Sequence, residues 1–565
     1  MIAPELEERI NKQTSRPVLL CKCLAVSTLI FLLLECWRPC FYLTDDNLDG
    51  GLPFLTEMGR HLLHGQSPFY TDYLFGGHYD LLRDATFFVW HPVYLTCSLL
   101  AGTPYYFAMM DAMAFVFVML TTAGFVNLAW YVRREMELKF SDGWVMFLAL
   151  SFTYSIIALA TGASWLNYIV NQSVLPWLTL GILKKNWRSG IGLIALFSVH
   201  QILGGHPLAM ISNNVFLTVF AIGVSISRRS ILPLGCWLLG YVLALVICLP
   251  LLYPMLGGFF ACARAAGVPL EDMQSNAIPA WQFPISLFLG MAIWIVSPPM
   301  QAHVTYTVAF CSCAAAWCII PAIFSRARWR ALEIVTMAVL LFTVLMVCRP
   351  DWIAKIMLQL PIFKSMRWPF RELVQFEFFF HFFLLLRPPG MTVVHQRFTA
   401  VLSACFMIIP MALYIIPPTL NEMPLGRRLI FSGEFDHYWE HVRPLLKPTD
   451  RIAVLIPYKV YLNDNYEKPN GMMTSFNYAM LARVTSASGY SHTAPEDQLY
   501  TRTVPYFPNG VYEVTQKAAL LQEKPDLKFI TLESLHPVRI TLSSGDGPAI
   551  DLTPYVPEWF RHDSP

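Results

Sequence analysis

Charge is what this chain has least of. Asp, Glu, Lys and Arg make up only 14% of its 565 residues, against about 25% in a soluble globular domain. Hydrophobic residues reach 55%, and the mean hydropathy is +0.48. Most of the chain is therefore expected in lipid. Lys and Arg number 40 against 38 acids, a net charge of +2, and no long run carries one sign. That leaves no electrostatic footprint for nucleic acid. Walker and G-x-G-x-x-G elements are missing, and Gly76-Gly77 and Gly204-Gly205 are too isolated to cradle a nucleotide. Cys and His do not occur at metal-ligand spacing. The last of the 13 cysteines is Cys405, so no disulfide framework holds the polar C-terminal region. Cys36 and Cys40 of "CWRPC" are read as two free thiols rather than a bridge. The first apolar run, from about Pro17, lacks a small-residue cleavage site and is read as an uncleaved span.

A membrane helix needs about 20 predominantly apolar residues. By that measure the candidates are about 17–40, 104–131, 143–161, 165–183, 189–206, 208–226, 231–256, 302–323, 331–348, 370–386 and 398–417. Two shorter apolar pieces, 87–102 and 283–298, are bounded or interrupted by proline, which suits half-embedded placement. With about eleven spans and the N-terminus inside, the basic clusters around Arg133, Lys184, Arg228, Arg326–Arg330 and Arg387 all fall on the cytoplasmic side. Residues 42–103 then form an outer loop. The fold expected is a polytopic α-helical membrane module over 1–417 with an extracytoplasmic α/β domain over 418–565, in a bacterial inner membrane. In the loop, "LPFLTEMGRHLLHG" places Leu52, Leu55, Met58, Leu62 and Leu63 on one helical face, which predicts an amphipathic helix on the membrane surface. In the C-terminal region "FDHYWEHVRPLL" and "VYEVTQKAALLQEK" read as helices, and "RIAVLIPY", "LKFITLES" and "VRITLSS" as strands.

Three acids, Asp45, Asp46 and Asp49, follow the first span directly. They are either a hydrated flank or a general base and metal ligand held just above the lipid. "FKSMRWPFREL" sets Lys364, Arg367 and Arg371 around Pro369, which suits the first turn of a helix. Free N–H groups and three cations there would hold a phosphate, with arginine able to bind two oxygens at once; the bland alternative is headgroup anchoring. Glu377 and His381 stand four apart and are expected to pair within the bundle, and Asn167, Asn171 and Gln172 read as interhelical glue. His91 and His206, each before a proline, are either turn residues or pocket residues. The orientation rule puts the acids, the cations and both histidines on one side. Acids beside a phosphate cradle at a lipid surface suggest transfer from a lipid-linked phosphate donor, with a carboxylate taking the acceptor proton.

The order of these motifs resembles the YfhO-like bacterial membrane proteins of the GT-C glycosyltransferase class. The matching points are Asp46 with Pro53-Phe54, the stretch from Gly65 to Phe69, Trp90-His91-Pro92, Gly204-Gly205-His206-Pro207, Arg367-x-Pro369-x-Arg371, and Gly489-Tyr490. The resemblance implies a GT-C-like fold, a polyprenyl-phosphate-linked sugar as donor, and a glycan or lipid acceptor. It makes Asp46 the preferred base and Asp45 the second choice, with Arg367, Arg371 and Lys364 on the donor phosphate. His91, His206 and Asp49 are pocket candidates. A divalent cation, Mg or Mn, on Asp45 and Asp46 is compatible with this chemistry and not required by it, since arginine also neutralises a phosphate. A transporter or lipid flippase and a non-catalytic envelope assembly protein are the rival readings.

Overall fold

The computed structural model describes residues 15–44, 46–77, 79–83, 90–138, 140–261, 267–275, 277–284, 287–288, 313–325, 328–388, 429–458, 477–487, 511–535, 537–545 and 547–559. Asp45, Gly489, Tyr490, most of 283–298, and the expected span 398–417 lie outside them. Six helices among the described residues are long and apolar enough to cross a membrane: Arg16–Trp37, Tyr106–Glu135, Asp142–Ser164, Pro207–Arg228, Leu232–Phe260 and Ala331–Cys348. The chain is thus a multi-pass membrane protein by length and composition of its helices. The expected spans 165–183 and 189–206 are the helices Leu166–Leu183 and Trp187–Gly204. Cys36 and Cys40 of "CWRPC" carry thiols, with no bridge between them.

The chain divides into two compact units. The first comprises Met1–Pro39, Ala114–Pro250 and Ala266–Ile416, and the second Cys40–Met113, Leu251–Ala265 and Pro417–Pro565.

In the first unit the Leu373–Leu386 helix, "LVQFEFFFHFFLLL", is buried along its whole length. A helix apolar all round belongs inside a bundle, and here the helices Asp142–Thr153, Leu166–Leu183, Pro207–Arg228 and Ala331–Cys348 pack against it. Its few polar groups find partners within the bundle. His381 Nε2 lies 2.9 Å from Ser151 Oγ, and its Nδ1 donates to the Glu377 carbonyl at 2.7 Å and faces the Glu377 carboxylate at 3.3 Å. Beyond the helix, Arg387 pairs with Glu333 at 2.8 Å and donates to the carbonyls of Ala322 and Ser325. Removing one member of so buried a pair leaves an uncompensated charge.

The second unit is built on a six-stranded sheet. After a short hairpin, β1 (Tyr70–Thr71) and β2 (Tyr79–Asp80), come β3 (Arg451–Ile456), β4 (Thr485–Ser486), β5 (Tyr512–Glu513), β6 (Leu527–Leu535), β7 (Val538–Ser544) and β8 (Ile550–Asp551). The order is β4-β3-β6-β7-β8, with β5 also on β3. β3 runs parallel to β4, β5 and β6, while β6-β7-β8 are antiparallel. Five of the six residues of β3 are buried, as expected of an apolar strand at the centre of a parallel arrangement. The predicted strands fall on β3, β6 and β7. "VYEVTQKAALLQEK" is instead a short strand, β5, leading through a 3₁₀ turn into the Lys517–Glu523 helix.

The loop after the first span belongs to this same unit. Gly76 N donates to Ser486 O at 2.7 Å, Ser486 N donates to Tyr73 O at 2.9 Å, and Arg451 Nε donates to Gly76 O at 3.1 Å. The loop thereby covers the edge that β4 would otherwise leave unpaired. Gly76 has φ +80°, a conformation that glycine adopts without strain.

The Leu52–Leu63 helix corrects the expectation of a membrane-surface helix. Every residue from Leu52 to Gly59 is buried, Thr56 and Glu57 included. Its polar side is not turned to water, because partners from elsewhere in the chain satisfy it. Glu57 pairs with His61 at 2.9 Å, and Arg60 donates to the carbonyl of Met480 at 2.9 Å.

Candidate functional site

The basic motif of the first unit is assembled by three short segments. Trp368 adopts φ +61° and ψ +76°, a left-handed conformation that is an outlier for a bulky aromatic residue and costs about 1–3 kcal/mol. It is followed by the 3₁₀ turn Pro369–Glu372, which leads into the Leu373–Leu386 helix. The twist lays the Trp368 ring between two guanidinium groups, 4.1 Å from that of Arg367 and 4.4 Å from that of Arg371. Trp165, at the start of the Leu166–Leu183 helix, stacks on Trp368 with a centroid separation of 5.9 Å and stands 4.6 Å from the Arg371 guanidinium. Tyr168 closes the third side at 5.5 Å.

Arg371 is only 8% exposed. Its Nε has no hydrogen-bond partner among the described residues, and its guanidinium makes no ion pair among them. Buried cations are ordinarily paired with an acid. Here aromatic faces hold the cation, an interaction worth about 2 kcal/mol or more when desolvated. A partly desolvated guanidinium without an acid partner is suited to a bound anion, because field strength rises as water is removed.

His206 meets this cluster through Tyr168, whose ring centroid lies 4.6 Å from its own. It also caps the Pro207–Arg228 helix, its Nδ1 accepting from Leu208 N at 3.2 Å. Its carbonyl accepts from Asn171, and Asn171 in turn accepts from Gln201 at 2.9 Å. This network explains Gly205. A Cβ there would stand 2.5 Å from Gln201 O and 2.8 Å from Asn171 Oδ1. Asn171 and Gln172 do act as interhelical links, Gln172 donating to Phe152 O at 2.8 Å. Lys364 is half-buried on the 3₁₀ turn before the motif, where its carbonyl accepts from Val268 N at 2.9 Å.

The acids lie in the second unit. Asp46 is half-buried and immediately precedes a π-helical turn, Asn47–Gly51; such turns recur at functional sites. Asp49, within the turn, accepts from the Tyr478 hydroxyl at 2.7 Å, and its carbonyl accepts from Asn477 N. Asp49 is therefore tied to the C-terminal segment of its own unit. His91 is 7% exposed and caps the Pro92–Ser98 helix, its Nδ1 accepting from Val93 N at 3.1 Å. Burial lowers its pKa to about 4, so the ring is neutral at ordinary pH. Among the described residues no three His, Cys, Asp or Glu side chains are gathered so that they could hold a metal ion.

The sequence singles out Arg367, Arg371 and His206 as candidates but not the rings that pack against them. Trp165 and Tyr168 carry no motif of their own; the signal available was an aromatic pair on the first turn of a polar-faced helix. Tyr478 stands in "NYAM" with nothing local to mark it.

No family model matches the chain, and no curated protein matches it. One solved structure to which the chain shows a likeness is the arabinofuranosyltransferase AftD from Mycobacteria, determined by single-particle cryo-EM, at 15% identity and a TM-score of 0.44. The match covers 79% of this chain, which spans only 30% of the length of that one.

Proposed function

We propose that the protein is a membrane glycosyltransferase that moves a sugar from a polyprenyl-phosphate donor to an extracytoplasmic glycan or lipid acceptor. The observation that carries this reading is Arg371, buried, held by three aromatic rings and lacking an acid partner among the described residues. In this reading Arg371 and Arg367 bind the donor phosphate, with Lys364 adding charge. Asp46 takes the proton of an acceptor hydroxyl. The acceptor oxygen forms a bond to the anomeric carbon as the bond from that carbon to the phosphate oxygen breaks. The polyprenyl phosphate leaves with the electron pair, and the arginines stabilise its charge. The resemblance of the motif order to the YfhO-like proteins supports the same assignment, and so does the wealth of lipid-compatible helices.

The test compares envelope glycans and lipid-linked sugars by mass spectrometry in a deletion strain complemented with wild type, Asp46→Asn or Arg371→Ala at matched expression. Loss of one glycan modification with accumulation of its lipid-linked sugar in both variants is expected, with activity lowered at least about 100-fold. Wild-type profiles in both would make the protein a transporter or an assembly factor instead.

A further inference from the structure

Glu372 follows Arg371 directly in the chain and is as deeply buried, at 2% exposure. A carboxylate so placed would be the natural counterion of Arg371. It is engaged elsewhere. Arg349, which ends the Ala331–Cys348 helix, reaches Glu372 Oε1 with Nη2 at 3.4 Å. Its Nη1 donates to Met366 O at 3.2 Å and to Met273 O at 3.1 Å. Arg349 itself is 1% exposed and adopts φ +36°, a conformation uncommon for a residue with a side chain. One guanidinium thus holds the chain on both sides of the Arg367–Arg371 motif: at the carbonyl just before Arg367 and at the carboxylate just after Arg371.

We infer that Arg349 is a positioning residue that sequesters the Glu372 carboxylate, so that Arg371 stays available to an anionic ligand. This rests on the reading of Arg371 as a phosphate-binding group. Two arginines and one carboxylate share a buried region, and among the described residues the carboxylate turns an oxygen to Arg349 and makes no ion pair with Arg371. If Arg349 loses its charge, Glu372 is left as an uncompensated buried anion. The Ser212 hydroxyl, which also bonds Glu372, carries no charge, so the cation left to neutralise that anion is its neighbour Arg371. A ligand phosphate would then compete against an internal carboxylate for the same guanidinium. The phosphate-binding character of the motif is in this way set 22 residues upstream, by a residue that need not touch the ligand.

The test measures binding of farnesyl phosphate to the full-length protein in detergent by calorimetry, for wild type, Arg371→Ala, Arg349→Gln, Glu372→Gln and the double variant Arg349→Gln/Glu372→Gln. Glutamine at 349 keeps an N–H donor for the two carbonyls while removing the charge. The expected result is tight binding by wild type, loss in Arg371→Ala, and weakening of about tenfold or more in Arg349→Gln, the strength of one charge-assisted hydrogen bond. Glu372→Gln should bind at least as well as wild type, and the double variant should return to within about threefold of it. Thermal unfolding of each variant separates loss of fold from loss of binding. A double variant as weak as Arg349→Gln, with its fold intact, overturns the sequestering role while leaving the phosphate site standing. Equal binding by wild type and Arg371→Ala overturns the phosphate reading, and this inference with it.

Discussion

His61 has an acceptor opposite each ring nitrogen: Ser67 O lies 2.7 Å from Nδ1 and Glu57 Oε1 lies 2.9 Å from Nε2. A carbonyl cannot donate, so Nδ1 carries a proton, and the carboxylate draws a second to Nε2. The bond to Glu57, foremost, and that to Ser67 raise the His61 pKa above its ordinary 6.5, against a lowering from partial burial. A histidine with a raised folded-state pKa adds stability that is fully present below the unfolded value and lost as pH rises through the folded one. Thermal unfolding of the wild type should therefore fall to lower temperature above about pH 6.5, and that dependence should flatten in His61→Gln. Parallel pH profiles for the two proteins would remove His61 from the account. His91 makes the opposite case. It precedes Pro92 and is buried, its Nδ1 accepts from a backbone N–H, and burial lowers its pKa to about 4. The two His-Pro segments are alike locally, since His91 and His206 each cap a helix through Nδ1; what sets His206 apart is the Tyr168 ring against it, brought there by another helix.

At the scale of elements, the Leu52–Leu63 helix depends on one close approach. A Cβ on Gly59 would stand 1.9 Å from Ser98 O and 2.6 Å from Ser98 C, and a backbone carbonyl cannot swing aside as a flexible side chain can. Gly59→Ala should destabilise the protein by about 2 kcal/mol or more. Gly192, also in a helix, has nothing within 4 Å of its Cβ position, and Gly192→Ala should be neutral or stabilising by up to about 1 kcal/mol. Fluorescence-detected gel filtration after graded heating measures both, and equal melting would show that the Gly59 contact relaxes freely. This element also shows where periodicity misleads. Its leucines recur as on an amphipathic helix, but Glu57 and Arg60 find partners in His61 and in Met480 O rather than in water. Met480 lies 420 residues away in the chain, and no local pattern can announce it. The strands β3, β6 and β7 were legible for the converse reason: each is a run of apolar and β-branched residues bounded by turns, a signal contained within fewer than ten residues.

For the whole molecule the decisive quantity is how much apolar surface remains after folding. On the Leu232–Ala261 helix, Leu239, Val242, Val246 and Ile247 are 54%, 52%, 61% and 56% exposed. Such a continuous stripe is untenable in water and at ease in lipid. Spin labels placed at Leu239 and Val246 in bilayers should be readily accessible to oxygen and poorly accessible to a water-soluble nickel complex. Strong nickel accessibility at both positions would remove this helix from the membrane.

Composition and periodicity alone determined that the chain is membrane-bound and mainly helical, that a sheet-bearing region follows near the C-terminus, and that Arg367, Pro369 and Arg371 stand where a helix begins. These are properties of neighbouring residues, and short-range sterics and hydropathy write them directly into the sequence. Tertiary structure decided the rest. It joined the 40–113 segment to the C-terminal sheet in one unit, tied Asp49 to Tyr478, surrounded Arg371 with Trp165 and Tyr168, and gave Glu372 to Arg349 rather than to its neighbour. Each of those choices is a competition among buried polar groups for partners distant in the chain. Its outcome depends on which groups folding brings within reach and which it removes from water.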